Sequence, residues 1–167
     1  IKHKAQRVAV LIDVQNMYHS AKNLYGSRVN FKEVLKTTVA GRQLVRALAY
    51  VIRTESGEEK PFLEALTKIG IETKIKDLQI FPGGMKKADW DVGMAMDAIK
   101  LGNKVDAIIL MSGDGDFVPL INNLREVEGL QIEVVAFARS ASQKLKEATD
   151  AFIDLGSDPK KYIIGIR

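Results

Sequence analysis

The sequence has no cysteine and only two histidines, His3 and His19. The lack of cysteine excludes disulfide bonds and thiolate zinc sites, and two histidines give little support to a histidine-rich metal site or a Ser-His-Asp triad. Long hydrophobic runs are also missing, so no segment reaches the roughly 20 apolar residues that a transmembrane helix needs. The first residues lead straight into a predicted strand and do not resemble a secretion signal. We therefore expect a cytoplasmic protein without a membrane partner.

The length of 167 residues is typical of one domain with a hydrophobic core. Short apolar runs alternate with segments of helical periodicity, which predicts an α/β fold with a mainly parallel sheet and helices on both faces. We expect residues 1–155 to form this domain and residues 156–167 to form a tail packed on it. The net charge of +4 at pH 7 allows a phosphate-rich partner but does not require one.

One predicted strand is followed at once by an acidic turn. Residues 105–117 read VDAIILMSGDGDF, an apolar run that breaks into Ser112-Gly113-Asp114-Gly115-Asp116. The apolar run predicts a strand covered on both faces, and the glycines permit a sharp turn and positive φ. Asp114 and Asp116 then follow the carboxyl end of the strand, where open α/β sheets bind ligands. The alternative is that both acids only cap the turn and the next helix.

Another predicted strand, near the start of the chain, also ends in an acid, Asp13. If both strands belong to one parallel sheet, Asp13 lies beside Asp114 and Asp116, and carboxylates gathered in this way need a cation. Oxygen ligands of this kind suit Mg²⁺ or Mn²⁺. Ser112 would orient a carboxylate or a water. Asn16, one turn after Asp13, either holds a metal-bound water or a phosphate oxygen, or caps the helix.

Three further acids belong to a helix that is predicted to run to about Leu101. Two of them lie at its start and the third lies within it. Asp91 is the expected metal ligand among them, and Asp89 is expected to cap the helix or stay solvated. Asp97 points about 120° away from Asp91 around the helix axis, so it either joins the metal site or pairs with Lys100. The predicted core stripe of this helix consists of Val92, Ala95, Met96 and Ile99.

Basic and aromatic side chains lie near the same predicted edge of the sheet. Candidates for contact with a nucleic-acid backbone are Lys86, Lys87, Arg53 and Arg139. The two lysines end a segment, residues 76–87, that is expected to be a turn or a loose loop because of Pro82-Gly83-Gly84. A solvated loop is the alternative role for them. Tyr18 or Trp90 would stack on a base, although burial is expected for Trp90.

Three short motifs follow one another along the chain. Residues 10–16 read VLIDVQN, residues 87–97 read KADWDVGMAMD, and residues 112–117 read SGDGDF. Together they resemble the motifs of NYN domains, in particular of the bacterial LabA-like (DUF88) branch, from about Arg7 to Leu155. The resemblance implies the three-layer α/β/α fold of PIN-like nucleases and Mg²⁺- or Mn²⁺-dependent cleavage of RNA.

The same resemblance assigns roles to residues. The acids that would hold the metal are Asp13, Asp91, Asp114 and Asp116, with Asn16 and Asp97 in support. Two other functions stay open at this point. One is a non-catalytic or weakly active RNA-binding or regulatory module of the same fold. The other is a small-molecule phosphatase of the haloacid dehalogenase type, which would need an acid where Gln15 stands. A homodimer also stays open.

Overall fold

The computed structural model describes residues 2–54, 59–80, 82–83, 86–87 and 89–166. The strands are β1 Arg7–Asp13, β2 Gln43–Arg53, β3 Glu72–Asp77, β4 Gln79–Ile80, β5 Lys86–Lys87, β6 Ala107–Met111, β7 Gln131–Ala136 and β8 Ala151–Asp154. Six of them form one sheet in the order β3-β2-β1-β6-β7-β8, and every neighbouring pair is parallel. The predicted parallel sheet is therefore confirmed.

The described residues form seven α-helices around this sheet. They are α1 Val14–Tyr25, α2 Phe31–Val39, α3 Lys60–Lys68, α4 Asp91–Gly102, α5 Val118–Glu126, α6 Gln143–Ala148 and α7 Pro159–Tyr162. Alternate residues of β1 face opposite sides, so that Val10 packs in the core under α1, α2, α3 and α7, while Leu11 packs in the core under α4, α5 and α6. This is the expected three-layer α/β/α arrangement. None of the described helices is both long and apolar enough to cross a membrane.

The strand order creates a crevice between β1 and β6. The chain runs outward from β1 through β2 to β3, and then returns to the other side of β1 as β6. The connections after β1 and β6 therefore leave in opposite directions, and this switch point is where open parallel sheets bind ligands. Ile12 pairs with Met111 in register, so Asp13 and Ser112 follow at the same level of the sheet.

The last residues of the chain pack on the helical layer that contains α2. Tyr162 and Ile163 are buried, Asn30 N donates to Tyr162 O at 2.7 Å, and Ile164 N donates to Arg28 O at 2.8 Å. Within the segment 76–87, the described residues include strands, while residues 81, 84 and 85, and with them part of the predicted Pro82-Gly83-Gly84 turn, lie outside the described residues. β3 continues through Asp77, and β4 and β5 pair as an antiparallel hairpin.

The predicted core stripe of α4 is wrong. Val92 and Met96 are 72% and 54% exposed, and Ile99 is exposed as well. The helix instead buries Met94, Ala98, Leu101 and Gly102. The reason is that α4 carries apolar residues around most of its circumference, so spacing alone does not decide its rotation. Asp97 helps to decide it, because it lies about 60° to one side of Met94 and accepts hydrogen bonds from Tyr50 of β2 and Lys74 of β3.

Candidate metal centre

Three carboxylates meet at the switch point. Asp13 ends β1, Asp114 follows β6, and Asp91 is the first residue of α4. Each contributes one oxygen atom to a group in which all the oxygen atoms lie within 4.8 Å of one another, and all three side chains are partly exposed. The structure thus brings together three of the acids that the sequence selected, from three separate segments of the chain.

A buried hydroxyl positions two of these acids. Ser112 Oγ donates to Asp13 Oδ2 at 3.0 Å and accepts from Asp114 N at 3.2 Å. Asp13 Oδ1 accepts from Asn16 N at 3.2 Å, so Asp13 is itself the N-cap of α1. Asn16 Oδ1 accepts from Gly113 N at 2.9 Å. The amide of Asn16 therefore ties the start of α1 to the acidic turn.

The glycines of the acidic turn allow close approach, and neither has the positive φ that the sequence suggested. A Cβ atom on Gly113 would lie 3.1 Å from the Cα of Ala141, and one on Gly115 would lie 2.7 Å from Ser142 Oγ. Ser142 N also donates to Gly113 O at 3.0 Å. The turn is therefore held against the segment that precedes α6, and a side chain at Gly113 would require the backbone at Ala141 to shift.

The electrostatics of the three acids favour a cation. Burial, together with the negative charges of Asp114, Asp89 and Asp13, raises the pKa of Asp91 from 3.8 to about 6. Burial also raises the pKa of Asp13, and the hydrogen bonds from Asn16 and Ser112 offset only part of that rise. Without a cation, the fold therefore disfavours the ionised forms of Asp13 and Asp91.

The other selected acids take different positions. Asp89 Oδ1 accepts from Asp91 N at 3.2 Å at the start of α4. Asp116 is exposed, and its backbone N donates to Asp114 Oδ1 at 2.9 Å. Neither belongs to the group of three among the described residues. The charges of both nevertheless contribute to the raised pKa of Asp91.

Asp97 is engaged on the other side of α4. Its Oδ2 atom accepts from Tyr50 Oη at 2.7 Å and from Lys74 Nζ at 2.6 Å. Burial alone would raise the pKa of Asp97, but the hydrogen bonds from Lys74 and Tyr50 outweigh this and hold it below its usual value. The structure thus places Asp97 outside the group of three and in an ion pair with β3.

The basic candidates lie around the same edge of the sheet. Arg53 ends β2, is exposed, and donates from Nε to Asp77 Oδ1 at 2.9 Å. Arg139 is exposed between β7 and α6. The backbones of Lys86 and Lys87 form β5, while their side chains lie outside what the structure describes.

A cavity of about 340 Å³ opens at the acids. Besides the three acids, its lining includes Asp89, Asn16, Ser140, Trp90, Tyr50 and His19. Trp90 is fixed there because its Nε1 donates to Val51 O at 3.1 Å. Its ring also packs edge to face with that of Tyr50, with ring centroids 5.4 Å apart. Sequence reasoning missed Tyr50 and His19. The signal for His19 was its position one helical turn after Gln15 on the helix that Asp13 begins.

The donor set fits a hard divalent cation. It offers carboxylate oxygens from three chain segments, which suit Mg²⁺ or Mn²⁺ and not a soft metal. Burial and the neighbouring negative charges raise the pKa of Asp91, and a bound cation would offset both causes. Hydrogen bonds also fix the orientation of Asp13 before any ion binds. The cluster is therefore compatible with a divalent-metal site.

Comparison with known proteins agrees with this arrangement. The family model of the NYN domain matches residues 7–156. The low amplitude and bright protein LabA of Synechococcus elongatus is 30% identical over 169 residues, covering 96% of this chain and 89% of LabA. The crystal structure of a Vibrio parahaemolyticus protein of unknown function matches with a TM-score of 0.88 and 29% identity, covering 98% of this chain and 99% of that one. The chain therefore belongs to the NYN domain family, within its LabA-like branch.

Proposed function

We propose that this protein is a metal-dependent ribonuclease that hydrolyses RNA phosphodiester bonds at the group formed by Asp13, Asp91 and Asp114. The observation that carries the proposal is the convergence of these three carboxylates at the switch point of a parallel sheet. Membership of the NYN family supports the same reaction.

The residues of the site would divide into metal ligands and residues that position them. Asp13, Asp91 and Asp114 would hold Mg²⁺ or Mn²⁺, and Ser112 and Asn16 would keep the acidic turn and Asp13 in place. A bound divalent cation supplies charge neutralisation at the phosphate and a lower pKa for the attacking water. Asp116, exposed two residues after Asp114, adds negative charge and can accept a hydrogen bond from a water that enters the site.

RNA is the proposed partner, and cationic side chains at the rim would contact its backbone. Arg139 and Arg53 lie at the carboxyl edge of the sheet, where the cavity opens. Lys86 and Lys87 would add contacts from the hairpin. Such contacts release counterions, so binding should weaken as the salt concentration rises. A cytoplasmic location and association into a homodimer stay predictions.

The test is incubation of the purified protein with labelled single-stranded and structured RNAs in Mn²⁺, Mg²⁺ or EDTA. We expect cleavage with either metal and none in EDTA. Asp114→Asn should abolish cleavage, while its remaining amide oxygen still accepts the hydrogen bond from Asp116 N. Asp106→Asn is the matched control, because Asp106 precedes β6 at the opposite edge of the sheet and pairs with Arg7.

Other results would replace the proposal. RNA binding that persists in EDTA without cleavage in either metal would support a non-catalytic RNA-binding module. Release of phosphate from p-nitrophenyl phosphate without RNA cleavage would support a phosphatase. Full cleavage by the Asp114→Asn variant at saturating Mn²⁺ would show that the metal site is placed wrongly.

A further inference from the structure

A second cavity, of about 510 Å³, adjoins the cavity at the acids. The two share Gln15, His19 and Ile52 in their walls, so they lie side by side along α1. Val29, Phe31, Val51, Phe62 and Leu78 give the second cavity an apolar interior. Tyr18, Arg28, Glu59 and Thr54 add polar groups to its wall. An apolar cavity with a few polar groups is typical of a site for a flat organic group.

We propose that this cavity is a nucleobase subsite, which accepts an unpaired base that carries an amino group. The base would belong to the RNA strand whose phosphate lies at the acids, so the inference rests on the proposed function. The adjacency of the two cavities supports this, because the phosphate and the base of one nucleotide lie close enough together to occupy adjoining sites. A base within a duplex is held in its stack and cannot enter.

The distance along α1 agrees with one nucleotide. Tyr18 is five residues beyond Asp13, which corresponds to about 7.5 Å along the helix axis. The Tyr18 residue is 46% exposed, and its ring contacts that of His19 edge to face with ring centroids 5.5 Å apart. An exposed aromatic ring that is steadied by a neighbour is a stacking platform for a base. Arg28, exposed at the same cavity, provides positive charge for the adjoining phosphate.

Glu59 supplies the preference for an amino group. Its Oε1 atom accepts from Thr54 N and from Thr54 Oγ1. Among the described residues, its Oε2 atom is the buried side-chain oxygen without a hydrogen-bond partner. The hydrogen bond from the Thr54 hydroxyl is the main reason that the pKa of Glu59 lies below its usual value, so the carboxylate accepts and does not donate. Glu59 lines the cavity, so a rotation of its side chain would bring this covered oxygen to a donor on a bound ligand, which removes the cost of leaving the oxygen unpaired.

The bases differ in what they offer to this oxygen. Adenine and cytosine each present an amino donor at the edge of the ring, and guanine presents an amino and a ring N–H donor. Uracil presents one ring N–H between two carbonyl oxygens, which would face the carboxylate and be repelled. We therefore expect the cavity to favour amino-bearing bases over uracil.

The test measures binding without cleavage. Fluorescein-labelled single-stranded octamers of A, C or U, and a matched duplex, are titrated with the whole protein in EDTA and followed by fluorescence anisotropy. Oligo(A) and oligo(C) should bind more tightly than oligo(U), and the duplex should bind most weakly. Tyr18→Ala should weaken binding of the single strands by about tenfold through the loss of stacking. Tyr18→Phe keeps the ring and should bind as the parent does.

Glu59→Gln tests the amino preference directly. The amide keeps an oxygen for Thr54 and turns its other group into a donor, so the difference between oligo(C) and oligo(U) should shrink or reverse. A thermal melt of each variant checks that the fold is retained. Equal affinities for oligo(C) and oligo(U) in the parent, no effect of Tyr18→Ala, or no binding of any octamer would overturn the subsite.

These results are separate from the nuclease assay. A base preference that depends on Tyr18 and Glu59 in a protein that never cleaves RNA would support the subsite and overturn the nuclease. Cleavage that requires Asp114, without any base preference, would overturn the subsite alone.

Discussion

Ser112 Oγ donates a 3.0 Å hydrogen bond to Asp13 Oδ2 and thereby links the segments that end β6 and β1. The same oxygen accepts from Asp114 N at 3.2 Å, and the Ser112 residue is completely buried. One hydroxyl thus sets the positions of two of the three acids. Because it donates to Asp13, it also favours the ionised form of that carboxylate.

Ser112→Ala should therefore change the pH dependence of the site as well as its stability. Loss of the hydrogen bond raises the pKa of Asp13 further, so the stabilisation by Mn²⁺ should appear at a higher pH than in the parent. The free energy of unfolding should fall by about 1 kcal/mol. Thermal melts with Mn²⁺ or EDTA across a pH series measure both effects. Ser140→Ala also lies at the cavity and should leave the pH profile unchanged, so a shift of equal size there would contradict the assignment.

Asp91→Asn should separate metal binding from folding. In the parent, a metal at about 100 times its Kd would stabilise the folded state by about 2.7 kcal/mol, and the variant should lose most of this gain. In EDTA at pH 7, the variant should melt no lower than the parent, because a carboxylate repelled by its neighbours has been removed. Thermal shift with Mn²⁺ and with EDTA measures both.

The control for that experiment is Asp106→Asn. Asp106 is exposed and pairs with Arg7 at 3.2 Å, away from the three acids. Its loss should reduce stability by at most about 1 kcal/mol and leave the Mn²⁺ gain unchanged. Retention of the full gain by Asp91→Asn would show that Asp91 is not a ligand.

The raised pKa of Asp91 also predicts how stability depends on pH without metal. The folded state holds the proton of Asp91 up to about pH 6, while the unfolded chain releases it near 3.8. The contribution of this group to stability is therefore fully present below 3.8 and is lost as the pH rises through 6. Urea unfolding in EDTA between these pH values should give a flatter stability curve for Asp91→Asn than for the parent. Parallel curves would contradict the pKa assignment.

A buried ion pair holds together parts of the fold that are distant in sequence. Arg42 donates to Glu133 through both terminal nitrogens, at 2.7 and 2.9 Å, and the two side chains are 1% and 0% exposed. Arg42→Met should reduce the free energy of unfolding by about 3–5 kcal/mol, because among the described residues the buried Glu133 charge would keep only the hydrogen bond from Gln131 at 2.9 Å and the distant Lys2 at 4.0 Å. Arg46→Met is the matched control, because Arg46 pairs with Glu72 at the surface. This change should lower the free energy of unfolding by less than about 1 kcal/mol. Urea unfolding that gives similar losses for both would contradict this contrast.

The sheet could be predicted from the sequence because its central strands consist of uninterrupted apolar residues. In β6 all five residues from Ala107 to Met111 are buried, which agrees with an apolar run covered on both faces. The signal was weaker in β2, where Leu44 and Val45 are exposed although they are apolar. The Arg42–Glu133 pair gave no sequence signal, because its two residues are 91 positions apart.

The meeting of the acids could be predicted from the sequence where the position of the backbone brings them together. Asp13 and Asp114 come together because each follows a strand, and neighbouring strand ends meet at one edge. Spacing could not show that Asp97 is bound by Lys74 and Tyr50, because these residues come from two other strands. The same tertiary contacts fix the rotation of α4, which the periodicity of its apolar residues left undetermined.

The rotation of α4 can be tested with two methionines of the same helix. Met94 is completely buried, whereas Met96 is 54% exposed on the opposite face. Met94→Lys should reduce the free energy of unfolding by more than about 3 kcal/mol, because it places an unpaired charge in the core. Met96→Lys should change it by less than about 0.5 kcal/mol, because its charge lies in water. Urea unfolding in EDTA measures both without interference from metal. The reverse order would restore the stripe of Val92, Met96 and Ile99 to the core and turn Asp91 away from the other two acids.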